Sequence, residues 1–275
     1  MQVSERPAYT FYLAACALVL CAIAARADEP RAVPLADASQ AERLLYRQAT
    51  LREALREMLG IPTKLCELAP ESRGEFERDG IVVEKWIFTA EPGSRVPCNL
   101  YRPKHRTGRM PVIVFTYGHG ASKSAWNYNY AAQVYARLGL ACLAIDPIGE
   151  EERNLTGRMG SRAHDPQPVH ERAERAGRLM MGKLVFDTMR AIDFLRTRED
   201  IDQERIGVAG YSLGGAKASW MAALEPRLKL AIVCGWAYHD VTLNTKFCTR
   251  VPNQRMRRLC EWPEFPCCRP RTARC

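Results

Sequence analysis

The residue of this sequence best suited to chemistry is a serine that lies between two glycines. The segment Gly-Tyr-Ser-Leu-Gly occupies positions 210–214, after a predicted strand and before a helical pattern. A G-x-S-x-G pattern in that context forces a tight turn that exposes the serine hydroxyl above a sheet. Ser212 is therefore the candidate nucleophile for acyl transfer. The alternative interpretation is a glycine-rich turn that serves packing alone.

Attack by Ser212 on a carbonyl group would create an oxyanion that needs N–H donors. The backbone amide of Leu213, at the start of the predicted helix, is the first candidate donor. The second is expected in the loop after the predicted strand at 111–116, which reads Tyr-Gly-His-Gly at 117–120. Its position makes the backbone N–H of His119 the second candidate, without implicating the imidazole in proton transfer. A simple glycine turn is the alternative here.

Strands and helices alternate along most of the chain. Runs of β-branched and apolar residues predict four buried strands, at 111–116, 140–146, 205–210 and 230–235. Helical patterns lie between them, at about 124–138, 170–198 (with a break near Gly182) and 213–224. This alternation predicts parallel strand pairing in an α/β sheet. Two more strands, at 81–90 and 96–102, form a predicted hairpin that makes the sheet mixed.

The first 27 residues are typical of an export signal. A short apolar run at 10–24 is followed by Ala-Arg-Ala at 25–27, which predicts cleavage after Ala27. The segment Leu-Ala-Ala-Cys at 13–16 also resembles a lipoprotein cleavage box, so lipidation of Cys16 is the alternative. No apolar run reaches the ~18 residues that a membrane-spanning helix needs. Residues 28–79 are predicted to be a linker followed by a helix at about 40–59.

The distribution of charge argues against nucleic-acid binding. The chain has a net charge of +9, but residues 246–275 alone hold eight basic and two acidic side chains. A basic tail is not a basic domain, so no nucleic-acid partner is predicted.

The eleven cysteines do not indicate a metal site. No C-x-x-C or H-x-x-x-H spacing occurs, so neither a metal nor a cofactor is predicted. Cys142 and Cys234 lie in apolar runs and are predicted core thiols. Four others could form disulfides in an oxidising compartment, although spacing does not determine their connectivity: Cys66, Cys98, Cys248 and Cys260.

The chain resembles the α/β-hydrolase superfamily, and within it the bacterial acetyl xylan esterase and dienelactone-hydrolase-like group. The resemblance covers roughly residues 80–265 and lies in PVIVFTYGHG, AIDPIGEEER, the block from GKLVFDTMRAID to GYSLGG, and KFCTRVPNQRM. It implies a mixed, mostly parallel sheet with helices on both faces. It also implies a secreted serine esterase that acts on small-molecule or carbohydrate esters such as acetylated plant polysaccharide. Dienelactone hydrolases use cysteine at the turn, so Ser212 favours the esterases.

The catalytic partners of Ser212 do not follow the family pattern. In this fold an acid and then a histidine follow the serine along the chain, and His239 is the single histidine after Ser212. His239 is therefore a weak candidate base, and its alternative is a loop histidine at the pocket mouth. The domain at 80–265 is expected to lack its last strands, and the tail at 266–275 is either a disordered basic segment or foreign to the domain. A catalytically silent fragment or binding module is the competing hypothesis.

Overall fold

The computed structural model describes residues 38–236, whose core is built on one seven-stranded mixed sheet. Among these described residues, 38–45 belong to one compact unit and 46–236 belong to a second, which holds the sheet. None of the described helices is both long and apolar enough to cross a membrane. The strands are β1 (Glu71–Arg78), β2 (Ile81–Glu91), β3 (Ser94–Pro103), β4 (Met110–Thr116), β5 (Ala141–Ile145), β6 (Ile201–Tyr211) and β7 (Leu230–Cys234).

The strand order is β1-β2-β3-β5-β4-β6-β7. The pairs β1–β2, β2–β3 and β3–β5 are antiparallel. The pairs β5–β4, β4–β6 and β6–β7 are parallel. The chain passes from β4 to β5 on one side and then to β6 on the other, so the direction of winding changes at β4. Ligands of open α/β sheets bind at the carboxyl ends of the strands beside such a change of direction.

The described helices are α1 (Ala38–Leu59), α2 (Trp126–Arg137), α3 (Gln167–Arg175), α4 (Met180–Arg196) and α5 (Leu213–Leu224), with a short 3₁₀ turn at Glu151–Arg153. The helix predicted over 170–198 is thus two helices, and the predicted break near Gly182 is wrong. The chain bends at Gly177 instead, where φ is +78°, a value that favours glycine. Gly182 lies inside α4, where a side chain has no room: a Cβ there would lie 3.0 Å from the carbonyl carbon of Leu59 and still closer to its oxygen.

The side chains of strand β4 are buried on both faces of the sheet. Val112 and Val114 belong to the main hydrophobic core with α4 and α5. Phe115 points to the opposite face, where its ring packs against Tyr128 and Tyr135 of α2. Since successive side chains of a strand alternate between faces, a continuous apolar run is what a strand covered on both sides requires. The prediction of helices on both faces is confirmed.

Strand β1 has no counterpart in the sequence-based prediction. Its residues, ESRGEFER, are all exposed, so it carries no buried apolar face for a pattern to reveal. It is nevertheless paired antiparallel with β2 along the edge of the sheet. Backbone hydrogen bonds therefore define this strand, and side-chain burial does not.

None of the cysteines in the described part of the chain forms a disulfide. Cys142 is buried as predicted, and Cys98 is also buried. Cys66 and Cys234 are partly exposed, so the prediction of a core thiol is wrong for Cys234. Cys66 and Cys98 are therefore not paired with each other. The other two cysteines considered for pairing, Cys248 and Cys260, lie outside the described residues.

Candidate active site

Ser212 is at the turn between β6 and α5, as the glycine spacing predicts. Its backbone has φ 57° and ψ −122°, a conformation that costs a non-glycine residue on the order of 1–3 kcal/mol. Two hydrogen bonds hold it there: the Ser212 N–H donates to the Cys234 carbonyl at 3.0 Å, and the Ala216 N–H donates to the Ser212 carbonyl at 3.0 Å. Neighbouring structure therefore fixes the strained turn.

The turn packs directly on the carboxyl end of β4. A Cβ at Gly214 would lie 2.7 Å from the carbonyl carbon of Thr116 and closer still to its oxygen. The Thr116 hydroxyl lies 2.7 Å from the Gly214 carbonyl oxygen and 3.1 Å from that of Ala209. Gly210 is equally enclosed, since a Cβ there would overlap with Gly214 and Thr116. Glycine is required at both positions because two backbones meet here.

The loop after β4 lies against Ser212. A Cβ at Gly118 would lie 3.5 Å from the Ser212 Cβ, so the backbone that leads into His119 lies beside the candidate nucleophile. The Gly118 N–H donates to the Tyr128 hydroxyl at 3.0 Å, and the Tyr117 ring packs edge-on against Tyr128 at 4.6 Å. The structure thus brings Ser212, Leu213 and the Tyr117–Gly120 loop to one end of the sheet.

His119 meets two residues of the long loop that follows β5. Its Nε2 atom and the Nε2 atom of His164 each lie 3.5 Å from Oδ1 of Asp165, and the two imidazoles stack with 11° between their planes. Burial lowers the pKa of His164 to about 4, against the opposing charge of Asp165, so this imidazole is neutral at pH 7. Burial raises the pKa of Asp165, but the hydrogen bond from His119 and the charge of Arg162 oppose this effect, and the net shift is downward.

Three polar residues of the segment after β5 are buried. His164, His170 in α3 and Glu150 have relative exposures of 2%, 5% and 0%, whereas Glu152, two positions after Glu150, is exposed. The Glu150 carboxylate accepts hydrogen bonds from the N–H groups of Gly160, Ser161 and Arg162, at 2.7–3.1 Å. A carboxylate that accepts several backbone N–H groups can be buried without a large penalty, and here it folds the loop around itself.

Asp146, just after the end of β5, anchors the same loop. Its carboxylate accepts hydrogen bonds from the backbone N–H of Lys123 at 3.1 Å and from its ammonium group at 2.6 Å. The Lys123 ammonium also lies 2.6 Å from Glu152. Burial raises the pKa of Asp146 to about 7, while Lys123 opposes the shift. Arg153 completes the anchor by donating to the Asp146 carbonyl at 2.9 Å and to the buried Asp187 carboxylate at 2.8 Å.

Two surface pockets differ in their position relative to Ser212. The larger, of about 780 Å³, lies near the amino ends of β4 and β6, at the end of the sheet opposite Ser212; the position rule for α/β sheets argues against a role in catalysis. It is lined by Arg106, Gly108, Arg109, Arg198, Glu199 and Asp200. The second, of about 580 Å³, lies beneath the loop after β5 and includes His164 in its wall.

The candidate base His239 lies outside the described residues, as do the export signal at 1–27 and the tail at 266–275. The contact among His119, His164 and Asp165 was missed by sequence reasoning. Its members come from two loops more than forty positions apart, and no local spacing indicates such a meeting.

Comparison with known proteins relates this chain to a family of esterases. The family model "Acetyl xylan esterase (AXE1)" matches residues 52–239. The Bacillus subtilis (strain 168) protein named "Putative hydrolase YtaP" is 26% identical over 211 residues, which cover 72% of this chain and 68% of that protein.

Two solved structures are similar to this chain in fold. The acetyl xylan esterase from Paenibacillus sp. R4 is 25% identical with a TM-score of 0.50, over 68% of this chain and 58% of that one. A Bacteroides fragilis protein described as a "putative acetyl xylan esterase" is 20% identical with a TM-score of 0.60, over 82% and 59% of the two chains. The chain thus spans less than two thirds of the length of either solved protein. The predicted α/β-hydrolase fold is confirmed.

Proposed function

Because this chain belongs to the acetyl xylan esterase (AXE1) family, we propose that it is a serine esterase whose nucleophile is the hydroxyl of Ser212. The observation that carries the proposal is the strained backbone of Ser212, with φ 57° between β6 and α5. A protein retains such strain where the surrounding structure enforces it, and it does so most often at functional sites. Ser212 also follows the carboxyl end of a central strand, where α/β enzymes bind their ligands.

The reaction would proceed through an acyl-enzyme. The Ser212 Oγ atom attacks the ester carbonyl carbon, and its proton passes to a base. The N–H groups of Leu213 and His119 stabilise the negative charge on the carbonyl oxygen. The alcohol then leaves with a proton, and water hydrolyses the acyl-serine bond to release the acid and regenerate Ser212.

The base in this mechanism is a histidine held by a carboxylate, as in other serine hydrolases. His239 is its candidate from chain order. The proposed substrates are acetyl esters of carbohydrates, and the family to which the chain belongs supports that class. The competing function, a catalytically silent binding module, is favoured by the single histidine that follows Ser212.

We expect a fluorophosphonate probe to label the folded chain at Ser212 and nowhere else. The probe reacts with serines that are activated as nucleophiles, and ordinary surface serines have hydroxyl groups too weak to react. Trypsin releases Ser212 in the peptide 206–217, after Arg205 and through Lys217, so mass spectrometry can locate the adduct. The heat-denatured chain is the control and should remain unlabelled. A folded chain without an adduct on this peptide would reject the esterase proposal and support the silent module.

Export is the second part of the proposed function. The apolar run at 10–24 and the small residues Ala25 and Ala27 predict cleavage after Ala27. N-terminal sequencing of the protein recovered from the periplasm or medium of a bacterial host should therefore begin at Asp28. A mature protein that begins at a lipid-modified Cys16, or one that keeps residues 1–27, would contradict this prediction.

A further inference from the structure

We propose that His119, His164 and Asp165 form a binding site for a divalent transition-metal ion, for which Zn²⁺ is the best match. The three side chains offer two imidazole nitrogens and one carboxylate oxygen, and these atoms all lie within 4.8 Å of one another. Two histidines and a carboxylate, with a fourth position left for water, are a ligand set that zinc adopts in proteins.

The distances suit such an ion. Zinc bonds to nitrogen and carboxylate oxygen at about 2.0–2.2 Å, so adjacent ligand atoms of a tetrahedral site lie roughly 3.3–3.5 Å apart. Both imidazole-to-carboxylate distances, His119 Nε2 and His164 Nε2 to Asp165 Oδ1, are 3.5 Å. A movement of one imidazole by about 1 Å, within the range of a loop side chain, would complete the triangle.

The burial of His164 supplies an independent reason. Its side chain is 2% exposed, yet neither ring nitrogen has a hydrogen-bond partner among the described residues. A buried polar atom without a partner costs on the order of 1–3 kcal/mol, so native proteins seldom retain one without a ligand, an ion or a water to satisfy it. The Nε2 atom of His164 faces Asp165, the position where an ion shared with His119 would lie.

The surrounding charges select the class of ion. Calcium and magnesium prefer six or more oxygen ligands, whereas this cluster offers a single carboxylate. Two side-chain cations add positive potential at the cluster: Arg162 acts on Asp165, and Lys217 acts on His164. They further disfavour ions held mainly by charge. Imidazole ligands favour zinc, copper or nickel instead.

The ion would connect two segments that border Ser212. His119 is in the loop after β4, next to Gly118, which packs on Ser212. His164 and Asp165 end the long loop after β5, just before α3. A shared ion would hold this loop against the backbone that carries the candidate oxyanion donor. Its role is to position the loop, and no step of the proposed hydrolysis requires it.

The test is direct binding of Zn²⁺ to the metal-depleted full chain, measured by isothermal titration calorimetry. One ion per chain is expected. Loss of even an outer-shell partner of a metal site weakens binding about 10–100-fold, so His164→Asn and Asp165→Asn should each weaken it by at least that factor. Asp165→Asn preserves shape at a partly exposed position, and circular dichroism checks that each variant folds. His105→Asn, at an exposed histidine, is the matched control and should bind like the parent chain.

The cysteines of the tail must be separated from this site, because thiolates also bind zinc. All titrations are therefore repeated in full chains with Cys267→Ser, Cys268→Ser and Cys275→Ser. Binding that persists in this background and is lost with His164→Asn establishes the site. Binding that disappears with the three serine substitutions, that survives both ligand variants, or that is absent from the parent chain would overturn the proposal. None of these results depends on whether Ser212 is a nucleophile.

Discussion

Replacing Ser212 with alanine is expected to lower kcat for p-nitrophenyl acetate by about a millionfold. Loss of the serine in a serine hydrolase has an effect of that order, because the covalent pathway disappears. A residual acceleration of roughly 10³–10⁴ over water should remain from binding and from the N–H donors of Leu213 and His119. Steady-state kinetics on purified, metal-depleted chains measure this difference, and active-site titration of the parent chain provides its concentration of nucleophile.

Ser219→Ala is the matched control for this experiment. Ser219 lies in α5, the helix that follows Ser212, where its hydroxyl donates to the Ala216 carbonyl at 2.8 Å. The loss of this hydroxyl should leave kcat unchanged. The same assay applied to His239→Ala tests the candidate base. A loss as large as that of Ser212→Ala, with no additional loss in the double variant, is the behaviour of residues that act as a unit. Equal turnover by the parent chain and Ser212→Ala would show that Ser212 is not the nucleophile.

The parts of the fold that were predictable are those whose residues carry a local pattern. Strand β4 is a continuous β-branched run because both of its faces are covered, and the position of Ser212 follows from glycines that allow two backbones to meet. Strand β1 has neither property, since its side chains are exposed and its backbone pairs with β2 at the edge of the sheet. A method based on side-chain pattern has no signal for such a strand.

The environment of the long loop after β5 was unpredictable for a different reason. Glu150 has the sequence context of a solvated acidic run, but three backbone N–H groups more than nine positions away enclose its carboxylate. His164 is buried by the same folding of the loop, which places it beside His119 from another element. These contacts depend on tertiary structure, so polar residues in an irregular segment do not reveal them through spacing.

Gly214→Ala is expected to damage both the fold and the candidate site. In an ordinary helix this substitution stabilises by up to about 1 kcal/mol. Here the new Cβ would lie 2.7 Å from the carbonyl carbon of Thr116 and 3.0 Å from that of Tyr117. Both neighbours are backbone atoms, so the turn itself must shift. We expect the free energy of unfolding to fall by about 3 kcal/mol, which for a domain of this size lowers Tm by roughly 6–12 °C.

The same shift should also reduce turnover, because Ser212 lies two residues before Gly214 and Gly118 packs on its Cβ. Displacement of a catalytic group by about 1 Å can cost on the order of 100-fold in rate, and we expect a loss of that size in kcat. Gly80→Ala is the control: it lies in the turn between β1 and β2 at φ +75° with no atom within 4 Å of the new Cβ. It should cost only the backbone strain of about 1–2 kcal/mol and leave kcat unchanged. If Gly214→Ala matched this control in Tm and in turnover, the close contact between the turn and β4 would not be what positions Ser212.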